Sequence, residues 1–531
     1  MAKGYKVVTS QPTLDPFKNS TKLREPQDSG VKQPTIRDKY ESMKSDRSGF
    51  LDRARGYSKM TLPALFNDSD NAVNASGGYN QNGWQSLGSQ CVNHLSNRLV
   101  MTWFPPQRSF FRMSFTDEAK QALYEAGVKD VDLQKIMSRA EEKARTLHEE
   151  IQGRIAWTQA AKHLIVAGNA CLYIPESGPA ICYPLDRYVA KRSKGGQLLH
   201  IIIEEDKSLS ELPETIQNYI KVKKVGSIKA DSVVKLYTEA KFRDGKFIIR
   251  QEVCDMIVGQ TFKVLPEDNP FIALTWDRLY GESYGRGLVE VNSGDLFVYG
   301  FLSKAMAQGA ALMSDVKYLV KRGAATSPEE HAKAETGDYI WGEEGDITVV
   351  QLQKYADFQT VSAVLDTYAK RLGQAFLLMS SVRRDAERVT AYELRLDAQE
   401  LETSLGGTYS QIAVAGQLPY ARILLKRINF QLPASEAVPT IITGIESLGK
   451  AAELDKIMQF SEMMQVPNTW PEEARGRIIW ADYMTAVAAN VGLENPWVMD
   501  EDAYAKKQQA MMEQQQQQEM LKAAPQLAKG V

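Results

Sequence analysis

Apolar residues recur every three or four positions along most of the chain and every second position in one central block. The change of period divides the sequence. Gln11, Pro12, Pro16, Pro26, Gly30 and Pro34 break any pattern at the start, and helical spacing then runs from Thr35 to Ser58. Pro63, the run Asn67-Asp68-Ser69-Asp70-Asn71 and Gly77-Gly78 predict a loop. Leu87, Cys91, Leu95 and Leu99 form one stripe of a helix predicted over Trp84 to Phe104, ended by Pro105-Pro106. Residues 116–166 read as helix-rich, closing with Ile155, Trp157, Ala160, Ala161, Leu164 and Ile165 as the buried side. Gly168 and Asn169 then turn the chain into a strand from Ala170 to Ile174.

Between about 180 and 275 the period becomes two. Leu198–Glu204, Ser232–Thr238, Lys246–Val253 and Phe271–Trp276 are predicted strands, and Asp244-Gly245 is a hairpin signal. The block reads as an antiparallel insert between helical regions rather than a strand–helix alternation, which excludes a doubly wound nucleotide fold. Beyond Gly281 helices return. Leu288, Val291, Leu302, Ala305, Met306, Gly309 and Met313 mark one long helix, and Phe358, Val361, Leu365, Tyr368, Leu372 and Phe376 mark another. Between them, glycines 323, 337, 342 and 345 punctuate short strands at Lys317–Val320 and Ile347–Leu352. A charged turn at 383–388 precedes a further helix, where Thr390 and Glu393 fit a capping box. The last hundred residues read as short helices broken by Pro467, Pro471 and Pro496, ending in a Gln-rich tail. No internal repeat is evident.

Composition narrows the classes. With 531 residues, 43% hydrophobic and 24% charged, the chain can bury substantial cores, and length alone suggests roughly three to four domains. Mean hydropathy is -0.35, and no stretch approaches the ~18–20 apolar residues of a membrane span. No signal-peptide pattern is present, and four cysteines form no disulfide framework, so the expected setting is a reducing cytoplasm. A net charge of -2 argues against a protein that wraps nucleic acid. The charge is sorted, however: residues 1–60 carry 13 basic and 7 acidic side chains, and residues 432–531 carry 8 and 14.

Enzymatic motifs fail on inspection. Gly444-Ile445-Glu446-Ser447-Leu448-Gly449-Lys450-Ala451 matches a phosphate loop through the lysine, but Ala451 lacks the hydroxyl that would hold Mg²⁺. His148-Glu149-Glu150 lacks the second histidine of a zinc helix, the cysteines have no metal spacing, and no nucleophile motif is present. His163 and Cys171 read as core residues, and Glu204-Glu205 and Glu343-Glu344 as solvated faces. No catalytic, cofactor-binding or metal residue is therefore expected. Two long helices with one apolar stripe each bury only part of it against one another, which favours a ring of copies.

Several segments carry a resemblance. Gly281-Glu282-Ser283-Tyr284-Gly285-Arg286-Gly287 stands ahead of a long helix. Val166-Ala167-Gly168-Asn169, Glu387-Arg388-Val389-Thr390-Ala391 and Leu405-Gly406-Gly407-Thr408-Tyr409 occur in order with it, as do Trp84-Gln85, Leu418-Pro419 and Thr443-Gly444-Ile445-Glu446. From about residue 38 to 500 the chain resembles the portal (head-to-tail connector) proteins of short-tailed bacteriophages. The resemblance implies an α+β, mainly helical fold with wing, stem, clip and crown regions, assembling as a ring, usually a dodecamer, at one capsid vertex. Double-stranded DNA would pass along its axis during packaging and ejection.

Region by region, the resemblance implies a flexible segment over 1–35, a wing over 36–280, and stem helices over 281–314 and 355–382 around a clip at 315–354. A tunnel loop at 383–389 would face DNA through Arg383, Arg384, Asp385, Glu387 and Arg388. A long wing helix over 390–431 would be capped by Thr390 and Glu393, followed by a crown at 432–500 and a tail at 501–531. Implied partners are further copies of the chain, the terminase large subunit, scaffolding and major capsid proteins, tail or adaptor proteins and internal core proteins, with no membrane. The expected site is the virion, after synthesis in the host cytoplasm. The clip carries five basic and eight acidic residues, so the tunnel is expected to be acidic with narrow arginine rings. The alternatives are a nucleic-acid-processing ATPase using residues 444–451 and a scaffold or internal core protein, which would give no reason for the stem–clip–stem order.

Overall fold

The computed structural model of the protein describes residues 34–66, 83–106, 109–114, 130–223, 232–314, 317–323, 327–350, 355–378, 399–405, 407–430, 440–443, 460–469, 473, 480–491 and 512. The chain forms two compact units. One comprises Met1–Glu387 with Ala398–Gly444, the other Arg388–Asp397 with Ile445–Val531.

Helix α1 (Ile36–Met60) opens on a capping box, in which the Thr35 hydroxyl accepts the Asp38 N–H and the Asp38 carboxylate accepts the Thr35 N–H. A second carboxylate reaches the same helix end from far along the chain: Glu252 accepts the N–H groups of Ile36 (2.6 Å) and Arg37 (3.1 Å). Two acids at the positive end of the helix dipole fix where α1 meets the sheet.

That sheet is a five-stranded antiparallel meander of β4 (Tyr188–Arg192), β5 (Leu198–Ser208), β6 (Val233–Arg243), β7 (Lys246–Val253) and β8 (Met256–Val264). Asp244 (φ 52°) and Gly245 (φ 77°) make the left-handed two-residue turn that the Asp-Gly pair predicted. Alternation assigns the faces. Ala190, Ile201, Ala240, Ile249 and Phe262 stand opposite one another across all five strands and are buried in the main core with Leu51, Ala54 and Tyr188. On the opposite face Val189, Ile202 and Tyr237 pack under Ile36 and Tyr40 of α1. Strands β4 and β8, and the short β1 (Phe111–Ser114) and β3 (Ile181–Tyr183), are additional to those the period-two pattern identified. Helix α5 (Glu214–Lys223), between β5 and β6 in sequence, buries Ile216 and Ile220 with Leu236 and Val258.

A three-stranded sheet, β3–β2–β9 with β2 (Asn169–Tyr173) central and β9 (Phe271–Thr275) beside it, lies against the helical layer. There α2 (Leu87–Trp103) and α4 (Gly153–Ala167) bury the expected stripes, Cys91, Leu95 and Leu99 against Trp157, Ala160, Ala161, Leu164 and Ile165. Ile155, expected inside, is exposed. Between α3 (Asp130–Glu150) and α4, Gln152 turns the chain left-handed (φ 55°), and the helices restart on a new axis.

Four expectations are corrected. The helix expected over 281–314 is two: α6 (Leu288–Val291) ends at Asn292, and α7 (Ser293–Ser314) begins anew. The second stem helix, α9 (Tyr355–Ala375), stops short of 382 because Leu377 takes a left-handed φ of 57°. The helix expected over 390–431 is interrupted at Gly407 (φ 84°). It resumes as α10 (Thr408–Ile412), passes through one π-type turn at Ala413–Gln417 and continues as α11 (Leu418–Arg427). A Cβ on Gly416 would press on Trp157 (2.7 Å) and Leu274 (3.0 Å), so this turn lets the two pack closely. Finally, the region expected to be helical from 432 includes a strand: β12 (Thr440–Thr443) pairs antiparallel with β1, and the division between the two units falls after Gly444.

The second unit is described over 460–469 and α12 (Trp480–Val491), where the Tyr483 hydroxyl donates to the Met463 carbonyl at 3.0 Å.

Candidate stem and clip surfaces

Two of the segments singled out in the sequence, 166–169 and 281–287, interlock just ahead of α6, at the root of the first helix expected for the stem. Asn169 grips the backbone of Gly285 on both sides: its amide donates to the Gly285 carbonyl (2.8 Å), and its side-chain oxygen accepts the Gly285 N–H (2.8 Å). Gly168 (φ 72°) ends α4 against the backbone of Arg286 and Gly287, which a Cβ would strike. Gly287 presses equally on Ile165 and Val166. The Tyr284 hydroxyl accepts the Ala190 N–H (2.9 Å), tying the segment to β4. Half-buried Arg192 donates to the carbonyls of Ser283 and Ala273. Small residues are needed where backbones touch, and the polar residues satisfy the groups so buried.

Arg286 leaves this knot toward the stem. It forms a two-bond pair with Glu282 (2.6 and 2.9 Å) and reaches Glu290 of α6 (3.4 Å), which Arg53 of α1 also contacts (3.5 Å). The guanidinium groups of Arg53 and Arg286 both lie over the ring of Phe50. Segment 281–287, α6 and α1 therefore meet through one charged cluster.

Helices α7 and α9 then pack side by side. Gly309 faces the Phe358 ring so closely that a Cβ would collide with it. Leu372 and Phe376 of α9 and Leu296 of α7 are buried near the root. Farther out, Phe358, Val361, Leu365 and Tyr368 are half-exposed, and Phe297 (66%) and Phe301 (64%), one turn apart on α7, are largely open.

The segment expected to be the clip is a two-stranded hairpin, β10 (Lys317–Val320) with β11 (Ile347–Val350), enclosing α8 (Pro328–Lys333), which Ser327 caps. Tyr318 and Leu319 are exposed, and in the extended segment before β11 Tyr339 (102%) and Trp341 (89%) are bare. Aromatic residues this open, continuous with an open stem helix, mark surface that another molecule covers.

The expected tunnel-loop residues Arg383, Arg384, Asp385, Glu387 and Arg388, the cap Thr390 and Glu393, and the near phosphate loop 444–451 lie outside the described residues. Among the described residues no group of three or more His, Cys, Asp or Glu converges as metal ligands, and no helix is long and apolar enough to cross a membrane. Burial pushes the Cys91 thiol up to about 11 and that of Cys182 to about 12, far from nucleophilic thiolates. His163 is buried, as expected, edge-on to Phe66. His148 is buried too, with Nδ1 2.8 Å from the Tyr420 hydroxyl.

Glu204 and Glu205, expected on a solvated face, are instead drawn into the sheet. Glu204 accepts from Lys235 (2.7 Å), and Glu205 from the Tyr183 hydroxyl (2.8 Å). The most important acid escaped the sequence reading. Glu239 is fully buried and accepts from Lys39 (3.0 Å), His200 (2.8 Å) and Arg250 (2.6 Å). Burial alone would raise its carboxyl, but the His200 hydrogen bond and the charges of Lys39 and Arg250 outweigh that and hold it at about 2. Its one signal was a lone carboxylate inside the apolar run of β6.

Comparison with known proteins identifies the family of the chain. The family model described as bacteriophage head to tail connecting protein matches residues 33–498. The portal protein of Enterobacteria phage SP6 is 42% identical over 466 residues, 87% of this chain and 89% of that protein. The portal protein of Escherichia phage T7 is 36% identical, covering 81% of each. Among solved structures, the neck of an empty GTA particle aligns with 75% of this chain and 92% of that one, at 10% identity and a TM-score of 0.36. By the extent of the family match and the identity to these relatives, the chain belongs to the bacteriophage head to tail connecting proteins.

Proposed function

We propose that copies of this portal-family chain close into a ring, a dodecamer, whose axis is the channel for packaging and ejecting double-stranded DNA. The single observation that carries the reading is the open apolar surface of stem and clip: Phe297, Phe301, Tyr318, Leu319, Tyr339 and Trp341. A lone subunit leaves these in water. A rotationally repeated neighbour covers them on every copy at once, because a closed ring has no terminal face.

In this reading α7 and α9 are the stem, and residues 315–354 form the clip on which the terminase large subunit and later the tail or adaptor proteins dock. The 36–280 region meets scaffolding and major capsid proteins, and the crown meets internal core proteins. Residues 383–389 face DNA, with Arg383, Arg384 and Arg388 balanced by Asp385 and Glu387, and Thr390 and Glu393 cap the helix behind them. DNA must slide, so an acidic wall with narrow arginine rings serves better than continuous basic binding, which would hold the phosphates. The protein has no catalytic step of its own and works by geometry and charge.

The test is the purified chain. End-on electron micrographs and mass measurement are expected to give rings of one copy number, and ATP turnover is expected to be nil. ATP hydrolysis that disappears on Lys450→Ala would replace this reading with the ATPase one.

A further inference from the structure

One transverse row of the five-stranded sheet carries a lysine on each edge strand and on the central strand. Lys191 of β4 stands opposite His200 of β5, His200 opposite Lys241 of β6, Lys241 opposite Ile248 of β7, and Ile248 opposite Lys263 of β8. Residues directly opposite share a face, so all five project to the side away from the main core. Lys191, Lys241 and Lys263 are exposed, and His200 and Ile248 are half-buried between them. Strands lie about 4.8 Å apart, so the lysines stand about 10 Å from one another in a line about 20 Å long.

The surroundings add to the positive charge. Arg243 and Lys246, paired at the hairpin tip, extend the patch outward, with Asp244 beside Arg243 at 3.5 Å. On the inner side the buried Glu239 answers Arg250 of the sheet and Lys39 of α1, so this three-residue cluster is a net cation. The acids just beyond β8, Glu267 and Asp268, are engaged by Arg422 (3.9 Å) and Lys426 (2.8 Å).

Like charges placed side by side on a sheet weaken it, and a polyanion removes that repulsion. The chemistry of the row selects the polyanion. Lysines are point charges on flexible stems, without the fork that reads base edges, and the row's one ring, the half-buried imidazole of His200, is held by Glu239 (2.8 Å). A spacing of about 10 Å is comparable with the roughly 6–12 Å across the grooves of a duplex. We propose that this sheet face holds the phosphate backbone of double-stranded DNA, without sequence preference, at a place separate from the stem and the 383–389 loop. The proposal rests on the reading of the protein as a DNA-handling connector.

The test uses the full-length chain and a short mixed-sequence duplex followed by fluorescence anisotropy between about 50 and 200 mM salt. Each phosphate contact contributes about 0.9 to the slope of log affinity against log salt. Lys191→Gln/Lys241→Gln/Lys263→Gln is expected to reduce that slope by about 2 to 3 and to weaken binding roughly tenfold or more at mid-range salt. Arg243→Gln/Lys246→Gln, at a solvent-exposed turn away from the core, is expected to reduce it by about 1 to 2. Electron micrographs of each variant report ring formation separately, so failure of the portal reading is seen apart from failure of this one. Unchanged slopes in both variants, or no duplex binding by the parent chain, would overturn the proposal. So would displacement of the duplex by poly-L-glutamate at lower charge concentration than by competitor duplex, which would assign the face to an acidic protein.

Discussion

A carboxylate with no exposed surface must find cations close by, and Glu239 finds Lys39, Arg250 and the imidazole of His200. Removing one partner of such a cluster strands the others. Glu239→Gln is expected to destabilise the first unit by about 2–4 kcal/mol, read as a lower denaturation midpoint with an unchanged m-value. The histidines add a pH dependence. Burial holds His148 and His163 down at about 4 in the folded chain, against about 6.5 when unfolded. The unfolded chain therefore takes up protons first as pH falls. Stability is complete above about 6.5 and declines toward pH 4, by at most about 3 kcal/mol per histidine. Glu239 acts in the same direction over a lower window, from its ordinary range down to about 2. Melting temperature followed from pH 7 to pH 4 is expected to fall, and His163→Leu to lessen the fall. A melting temperature unaffected by pH over that interval would contradict the buried, neutral assignment.

At the scale of elements, the junction between α4 and the stem depends on backbones in contact. Gly168 has both a left-handed φ and no room for a Cβ beside Arg286 and Gly287. Gly168→Ala is expected to cost about 2–4 kcal/mol, from strain and displacement together, and to speed hydrogen exchange in α6 and the adjoining end of α7 before the five-stranded sheet responds. Gly309 plays the same part between the stem helices. Gly309→Val would push the Phe358 ring aside, and about 1–3 kcal/mol of overpacking is expected, visible as faster exchange confined to α7 and α9. If exchange in those two helices were unaltered, the close approach of Gly309 and Phe358 would not be a determinant of the stem.

For the whole molecule the exposed aromatic surface should govern assembly more than folding. Phe297→Ser/Phe301→Ser and, separately, Tyr339→Ser/Trp341→Ser remove side chains that touch little within the subunit. Each pair is expected to leave the melting temperature of the isolated subunit within a few degrees of the parent. Each should also raise the concentration needed for rings by tenfold or more, measured by light scattering across a dilution series. Rings that form as readily as the parent's would show that another surface joins the subunits.

Much of this was legible before any coordinates. Helices α1, α2, α4 and α9 follow apolar spacing. The β6–β7 hairpin follows from Asp244-Gly245, and the hairpin of β10 and β11 from two short apolar runs on either side of a glycine-punctuated segment. The ordered segments around Gly168-Asn169 and Gly281–Gly287 sufficed for the family, because local pattern and order survive in one dimension. What the tertiary structure decided was everything that depends on partners distant in sequence. It clamps Asn169 onto Gly285 across 116 residues, brings Glu252 to the start of α1 across 216, and pairs 440–443 with 111–114. It also turned Glu204 and Glu205 from surface into sheet partners and set three separate lysines in one row. The reason is physical: periodicity reports which face of an element is apolar, whereas a buried charge or a bare glycine has meaning only beside the group that the fold brings against it.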